Sequence, residues 1–368
     1  ITNQDNQAAA DINRTIDEYK SLMNEVFARY ELLEKRIPTS NEVRELFNDM
    51  SGRKSIFENE IIMVEKAFDE YISTIGEQNN WSESTYKKNR TIKKHFLESN
   101  SVNISFPEIN EESIQRFINH LTKKNLRNTT IAKDYSFVRW FLGWAYNKGY
   151  YTGNVHKTFK PRLKGVDGNS KEIIYLSLSE LEKIRKCNIP AIKKYLVHTR
   201  DVFLFCCYTS LRYSDVATLR HADVKDGFIQ IVTQKTTDGL KIELNKYAQG
   251  IIDKYKDKYF KNGLILPVVS NQKMNEYLKE LGQLAELNDL TRIVYYQGSK
   301  RFDEYYPKWQ LLTTHCARRT FVVTALQLGI PVEVIIRWTG HSDYDAMKPY
   351  VAIVDELKKK EMDKFNSL

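Results

Sequence analysis

Twelve residues, Lys160 to Lys171, divide this chain into two unlike parts. They read KPRLKGVDGNSK, where Pro, Gly, Asn and charge dominate and no apolar period survives, so no helix or strand pattern runs through them. From Ile61 to Lys160, before that break, apolar residues recur at helical steps throughout, in four or five segments joined by short connections. One begins at the Ser82-Glu83-Ser84-Thr85 cap and carries Tyr86, Ile92 and Phe96. Another, Glu112 to Lys123, sets Ile114, Phe117, Ile118 and Leu121 on one face. A third runs from Thr129-Thr130 to Gly149, and its Trp140 and Trp144, four apart, are expected to share one buried stripe.

After the break a larger region opens at Ser177-Leu178-Ser179-Glu180, a helix-start signature. It reads as mostly helical with short strands. Phe228 to Thr233 alternates, Asp238-Gly239 signals a turn, and Leu240, Ile242 and Leu244 alternate again. A second hairpin is expected at Gly298-Ser299, between Ile293-Val294-Tyr295-Tyr296 and Phe302. At the other end, Ala8 to Phe47 reads as helix, with Ile12, Ile16, Tyr19, Met23 and Phe27 as its stripe. Pro38-Thr39-Ser40 interrupts it, and Glu42 and Glu45 open a second helix. The expected fold class is mainly α with short β-hairpins: a helical connector at 1–60, a helical domain at 61–160, a linker at 161–176 and an α+β domain at 177–368.

The chain's 368 residues suffice for two or three cores, and 42% hydrophobic with 28% charged residues is a globular, not a disordered, composition. No apolar run has membrane-spanning length and no signal-peptide pattern opens the chain. The four cysteines, Cys187, Cys206, Cys207 and Cys316, lack metal-ligand spacing and read as thiols in a reducing cytoplasm. The net charge of +9 is concentrated: Leu121 to Gly165 holds ten Lys or Arg and one acid, Asp134. Such a block is either a solvated face or, given its interleaved tyrosines and tryptophans, a surface that tracks phosphates.

Breaking a phosphodiester without a metal needs a nucleophile, fixed positive charge for the non-bridging oxygens, and an acid for the departing oxygen. The C-terminal half carries residues of each type. Arg212 lies in TSLRYSD, after the apolar run Phe203 to Tyr208. Ser210 or Ser214 there is expected to cap a following helix, placing Arg212 at its start. The alternative is a surface arginine paired with Asp215, and Asp215 can also orient the guanidinium. Lys235 shares the parity of Ile229, Ile231 and Thr233, so it points to the apolar side of its hairpin, where a lysine suits proton donation. By itself that is a weak signal. His315 and Arg318, three apart, share a helix face, with Arg319 directed elsewhere. A zinc site of His315, Cys316 and His341 is disfavoured because adjacent helical residues diverge. His341 follows Gly340, and nine positions on comes Tyr350 in Lys348-Pro349-Tyr350. Among 22 tyrosines, position after the Gly-His step singles out Tyr350, with Tyr344 its nearest rival.

As a set, SLRYSD, TQKTTDG, HCARRT, TGHSD and KPY resemble, in order, the motifs of the tyrosine recombinase (phage integrase) family. The resemblance spans Ile61 to Leu368, and the form HCARRTF together with the preceding helices is similar to integrases of conjugative transposons and related elements. It implies a SAM-like core-binding domain and a catalytic domain forming a clamp on duplex DNA, with the linker crossing the groove. It implies that Tyr350 attacks the scissile phosphate to give a 3′-phosphotyrosyl link, that Arg212 and Arg318 hold the phosphate, and that Lys235 protonates the leaving 5′ oxygen. His315 and His341 would assist proton transfer and phosphate binding, with Asp215 supporting Arg212. Lys87, Lys88, Arg90, Lys133, Arg139, Lys160, Arg162 and Lys164 are the candidate DNA contacts. No metal or nucleotide cofactor is implied.

The expected partners are double-stranded attachment sites and accessory DNA-bending or directionality factors. The protein is expected as a monomer when free and a homotetramer on DNA, in the bacterial cytoplasm with the nucleoid and away from membranes. Val354 to Phe365 suits docking on a neighbouring protomer, or packing within its own. The chain starts Ile1-Thr2-Asn3-Gln4, and the resemblance implies an arm-binding domain upstream. Asn271 to Trp309 fits the family pattern poorly. Two other readings are a type IB topoisomerase, which relaxes one duplex, and an architectural DNA-binding protein, which forms no covalent product.

Overall fold

The computed structural model describes residues 3–39, 63–166, 172–233, 239–341 and 344–351, with 42–43, 46–47, 50–51, 362 and 366 besides. It is mainly helical with two small antiparallel sheets. The chain forms two compact units, residues 1–162 and 163–368.

In the first unit, helix α1 (Asn3–Glu34) begins before Ala8 and stops well short of Phe47. Lys35 takes a left-handed φ of 51°, which an α-helix does not accommodate, and Pro38 follows. Thr39 and Glu42 then cap each other: Thr39 N donates to the Glu42 carboxylate at 2.7 Å and Glu42 N to Thr39 Oγ1 at 3.4 Å. Arg36 grips the same carboxylate and, as the largest influence, holds its pKa down at about 2. Ser40 and Glu45 lie outside the described residues.

Four helices make the bundle: α2 (Val64–Gln78), α3 (Glu83–Asn100), α4 (Glu111–Lys123) and α5 (Asn128–Asn147), with a short α6 (Val155–Thr158). Ser82 starts α3 by accepting from Thr85 N, and Asn110 starts α4 through a reciprocal box with Ser113. The core is aromatic. Phe68 stacks on Phe141 with centroids 3.7 Å apart, and Phe96, Phe117 and Phe137 close around them, each burial contributing about 1.5–3 kcal/mol.

One expectation fails here. Trp144 packs against Tyr71, but Trp140 is 60% exposed. The buried stripe of α5 runs through Ile131, Val138, Phe141 and Ala145, and Trp140 sits about 200° round the helix from Val138. The two tryptophans are neighbours, yet only one reaches the edge of that stripe.

The second unit is built on α8 (Lys194–Thr209), preceded by α7 (Leu178–Lys186) and followed by a short α9 (Tyr213–Val216). Leu196, Val202, Phe203, Phe205, Cys206 and Cys207 bury α8 on nearly every side. Burial pushes the Cys206 thiol up to about 12, so it stays protonated. Strands β1 (Val224–Lys225), β2 (Phe228–Val232) and β3 (Gly239–Glu243) form the first sheet, in that order. The register Ile229↔Ile242 and Ile231↔Leu240 keeps their apolar residues on one face. Helices α10 (Lys246–Tyr255) and α11 (Asn271–Leu284) follow. The second sheet pairs β4 (Leu290–Gln297) with β5 (Lys300–Pro307), turning at Gly298-Ser299, and Tyr295 stacks on Phe302 across it at 4.9 Å. The region that fits the family motifs poorly is thus a helix and a hairpin.

The chain ends in α12 (Thr314–Gln327), α13 (Val332–Thr339) and α14 (Lys348–Val351). The expected helix Val354 to Phe365 falls almost wholly outside the described residues. Among the described residues, no helix is long and apolar enough to cross a membrane.

Candidate active site

Helix α8 ends at Ser210, whose left-handed φ of 62° turns the chain toward Arg212. Neither serine caps α9. Ser210 closes α8 instead and donates its hydroxyl to Trp338 O at 2.9 Å, and Arg212 itself occupies the cap position of α9. Arg212 Nη1 is buried and has no hydrogen-bond partner among the described residues. Asp215, one turn on, is 2% exposed, and its backbone N–H bonds Arg212 O at 3.0 Å.

Arg318 comes from the first turns of α12. That start is fixed from α11: Asn275 Oδ1 accepts from Thr314 N at 2.8 Å and Asn271 Oδ1 from Thr314 Oγ1 at 3.0 Å. Cys316 turns its sulfur back toward Thr313 N, 3.3 Å away, into the core. His315 is exposed, while Arg318 is only 3% exposed. The Arg318 guanidinium donates to Ser210 O at 2.9 Å and to Thr339 O, capping the carbonyl ends of both α8 and α13. Burial first, and the neighbouring Arg212 second, push its pKa down to about 10, while Tyr350 and Asp215 push back. Two cations, Arg318 buried and Arg212 half-buried, therefore lie within electrostatic reach of each other and of the half-buried Tyr350.

Gly340 ends α13 with a φ of 58°, which brings His341 back over the helix. His341 Nε2 lies 3.3 Å from Arg318 Nη2, and Nδ1 lies 2.7 Å from Thr339 Oγ1. Tyr350, on α14, is half-buried against the cluster of Val322, Val323 and Met347. The rival Tyr344 is 49% exposed. The described structure thus gathers Arg212, Asp215, Arg318, His341 and Tyr350, with His315 one turn before Arg318 at the solvent edge.

Lys235 lies outside the described residues; Ile229 on β2 and Thr233 just after that strand are buried. Lys87, Lys88, Arg90, Lys133, Arg139, Lys160, Arg162 and Lys164 are all exposed. Asp134, the one acid of the basic block, is 6% exposed, and burial raises its pKa. Two residues of interest escape a sequence reading. Trp140 looks apolar and so looks buried. Thr339 has only its place before Gly340-His341 to mark it.

Residues 63–161 match the family model described as the phage integrase SAM-like domain, and residues 175–356 match that of the phage integrase family. No curated protein matches the sequence. Among solved structures, the Tn1549 transposon integrase in complex with circular intermediate DNA is similar at 14% identity and a TM-score of 0.61, over 82% of this chain and 99% of that one. A lambda integrase dimer bound to a COC′ core site gives 15% identity and a TM-score of 0.60, over 78% and 95%. A lambda integrase tetramer bound to a Holliday junction gives 15% and 0.57, over 85% and 86%. At these identities the likeness is one of fold.

Proposed function

The chain belongs to the phage integrase family of tyrosine recombinases, and we propose that it cuts and rejoins DNA at specific sites through a covalent intermediate on Tyr350. The observation that supports this is a buried Arg318 that feels the charge of Arg212 and the phenol of Tyr350, together with a buried Arg212 Nη1 that has no hydrogen-bond partner among the described residues. Two neighbouring cations, one of them buried, with Asp215 as the carboxylate beside them, still favour an added anion, and a phosphodiester supplies it. In this reading Tyr350 Oη forms a bond to phosphorus as the bond to the 5′ oxygen breaks. The phenol proton leaves toward His341, with His315 assisting at the phosphate, and Lys235 gives a proton to the 5′ oxygen. Asp215 holds Arg212 in place. The 3′-phosphotyrosyl ester keeps the energy of the broken bond, so a second 5′ hydroxyl reverses the step and joins the new strands.

In the same reading residues 61–160 form the core-binding domain, 161–176 the linker and 177–368 the catalytic domain. Lys87, Lys88, Arg90, Lys133, Arg139, Lys160, Arg162 and Lys164 hold DNA phosphates. Trp140 joins them as an apolar contact, since it stands exposed on α5 beside Arg139 with the block's acid turned inward. The working assembly is a homotetramer on paired attachment sites, joined by accessory bending or directionality factors, in a bacterial cytoplasm. Incubation with duplex pairs bearing candidate attachment sequences tests the function. Recombinant products that require two sites support it; relaxation of a supercoiled plasmid lacking those sites would favour a topoisomerase instead.

A further inference from the structure

We propose that the β4–β5 hairpin is the dock for the chain segment that joins the two units, with Tyr296 as a positioning residue that seats Gly165. Its value to DNA binding rests on the function proposed above; the seat itself does not. The joining segment is held on the first unit at Phe159. The Phe159 carbonyl accepts from Tyr135 Oη at 2.6 Å, and the two rings meet edge to face at 6.1 Å. Lys160 to Leu163 then run without helix or strand, and Pro161 disfavours a helical Lys160. The chain turns at Lys164-Gly165, where Gly165 takes a left-handed φ of 70°. The space that a Cβ would occupy there is filled by the Tyr296 ring, with Cδ2 at 2.5 Å, Cε2 at 3.1 Å and Cγ at 3.5 Å. Glycine alone meets both demands, a positive φ and room for an aromatic face.

The hairpin holds this stretch of chain at both of its ends. Tyr296 pairs with Arg301, close to the Gly298-Ser299 turn, and so meets Gly165 from near the tip. At the base, Lys308 follows β5, with its N–H on Asp289 O at 3.0 Å, and donates Nζ to Glu180 Oε2 at 2.6 Å. That oxygen also accepts from Ser177 N at 2.7 Å, at the start of α7. Glu180 is 5% exposed, so removing its lysine would leave a buried charge uncompensated. Lys308 Nζ also covers the Tyr175 ring, 5.4 Å from its centroid, and Leu176 N donates to the buried Thr320 Oγ1 on α12 at 2.9 Å. The chain entering the second unit is thus fixed at Gly165 and again from Tyr175 to Glu180. The pivot between the units is thereby limited to the stretch between Phe159 and Gly165; without the Tyr296 seat it would reach from Phe159 to Tyr175. A shorter tether raises the effective concentration of one DNA-binding unit once the other is bound. The hairpin, in the region that departs from the family motifs, acquires a role in this way.

The test uses the full chain in limited trypsin digestion, scored only at the Arg162-Leu163 and Lys164-Gly165 bonds. Tyr296→Ala empties the seat, and Gly165→Ala collides with it while leaving the hairpin's own residues unchanged. Each is expected to raise the cleavage rate at those bonds on the order of 10-fold, since cleavage follows the population of the opened segment. The double variant should add nothing to either single one, because both break one contact. Tyr296→Phe keeps the ring carbons that face Gly165 and should stay protected, as should Tyr305→Ala, at an exposed position on β5. In titrations of a plain duplex, Tyr296→Ala and Gly165→Ala should bind roughly 3- to 10-fold more weakly because the tether is longer. Their salt slope should match that of the unaltered protein, because no phosphate contact is lost. Unchanged cleavage in both single variants overturns the seat. A shallower salt slope in Tyr296→Ala overturns the docking role, since the hairpin would then be holding phosphates itself. Faster cleavage with undiminished affinity overturns the positioning role. Failure of the unaltered protein to bind any duplex counts against the proposed function instead, and the cleavage rates still read the seat.

Discussion

Arg318 Nη1 donates to Ser210 O across 2.9 Å, although 108 positions separate the two in sequence. That bond ties the helix bearing His315 to the turn presenting Arg212, so each arginine is placed partly by the other's scaffold. Arg318→Lys keeps the charge but cannot span the Ser210 and Thr339 carbonyls together. Strand cleavage is expected to fall roughly 10²- to 10³-fold, as for loss of a preorganised donor at a developing charge. Unfolding in urea is expected to show a loss of about 1–3 kcal/mol from the carbonyl left without its donor.

Arg212 and Arg318 oppose each other in the free protein, with burial and Arg212 holding Arg318 down at about 10. Sulfate, a phosphate analogue, is expected to raise the melting temperature more than chloride does at matched ionic strength. Saturation to about 100 times the Kd is worth about 2.7 kcal/mol. The increment is expected to vanish in Arg212→Met; an equal increment there would place the anion elsewhere.

Trp140 and Trp144 should separate cleanly. Trp144→Ala opens a gap beside Tyr71 and Phe141 and is expected to cost about 2–4 kcal/mol. Trp140→Ala, at an exposed position, should leave stability within about 0.5 kcal/mol and weaken DNA binding by roughly 1–3 kcal/mol, the worth of one aromatic contact. Thermal melts and binding titrations on the same variants check both.

Burial holds His95, His156 and His198 below the ordinary histidine value of 6.5. Their unfolded imidazoles take a proton at 6.5 and the folded ones only at lower pH. The stability they contribute is therefore full above 6.5 and is lost as pH falls through the folded values. Melting temperature is expected to drop on acidification from neutrality, with a shallower drop in His95→Gln and His156→Gln.

The sequence was most legible where chemistry restricts residue type. Arg212, Arg318, His341 and Tyr350 stand out because few side chains can hold a phosphate or attack one, and their order along the chain did what no single motif could. The hairpin at Gly298-Ser299 was legible for a similar reason, since turns demand particular residues, whereas Asp238 lies outside the described residues and Gly239 already belongs to β3. Packing was harder to read. Trp140 and Trp144 share one spacing, and only the width of the buried stripe on α5 separates them. The choice of Tyr350 over Tyr344 rests in the sequence on counting from Gly340, whereas in space Tyr350 packs half-buried against the Val322 cluster and Tyr344 is 49% exposed.

The most direct measurement is to trap the protein on a nicked duplex bearing an attachment sequence, digest the adduct and identify the nucleotide-bearing peptide by mass spectrometry. The expected peptide carries the nucleotide on Tyr350, and Tyr350→Phe yields no adduct. A nucleotide found on Tyr344 or any other tyrosine, or an adduct that persists in Tyr350→Phe, would contradict the assignment of the nucleophile.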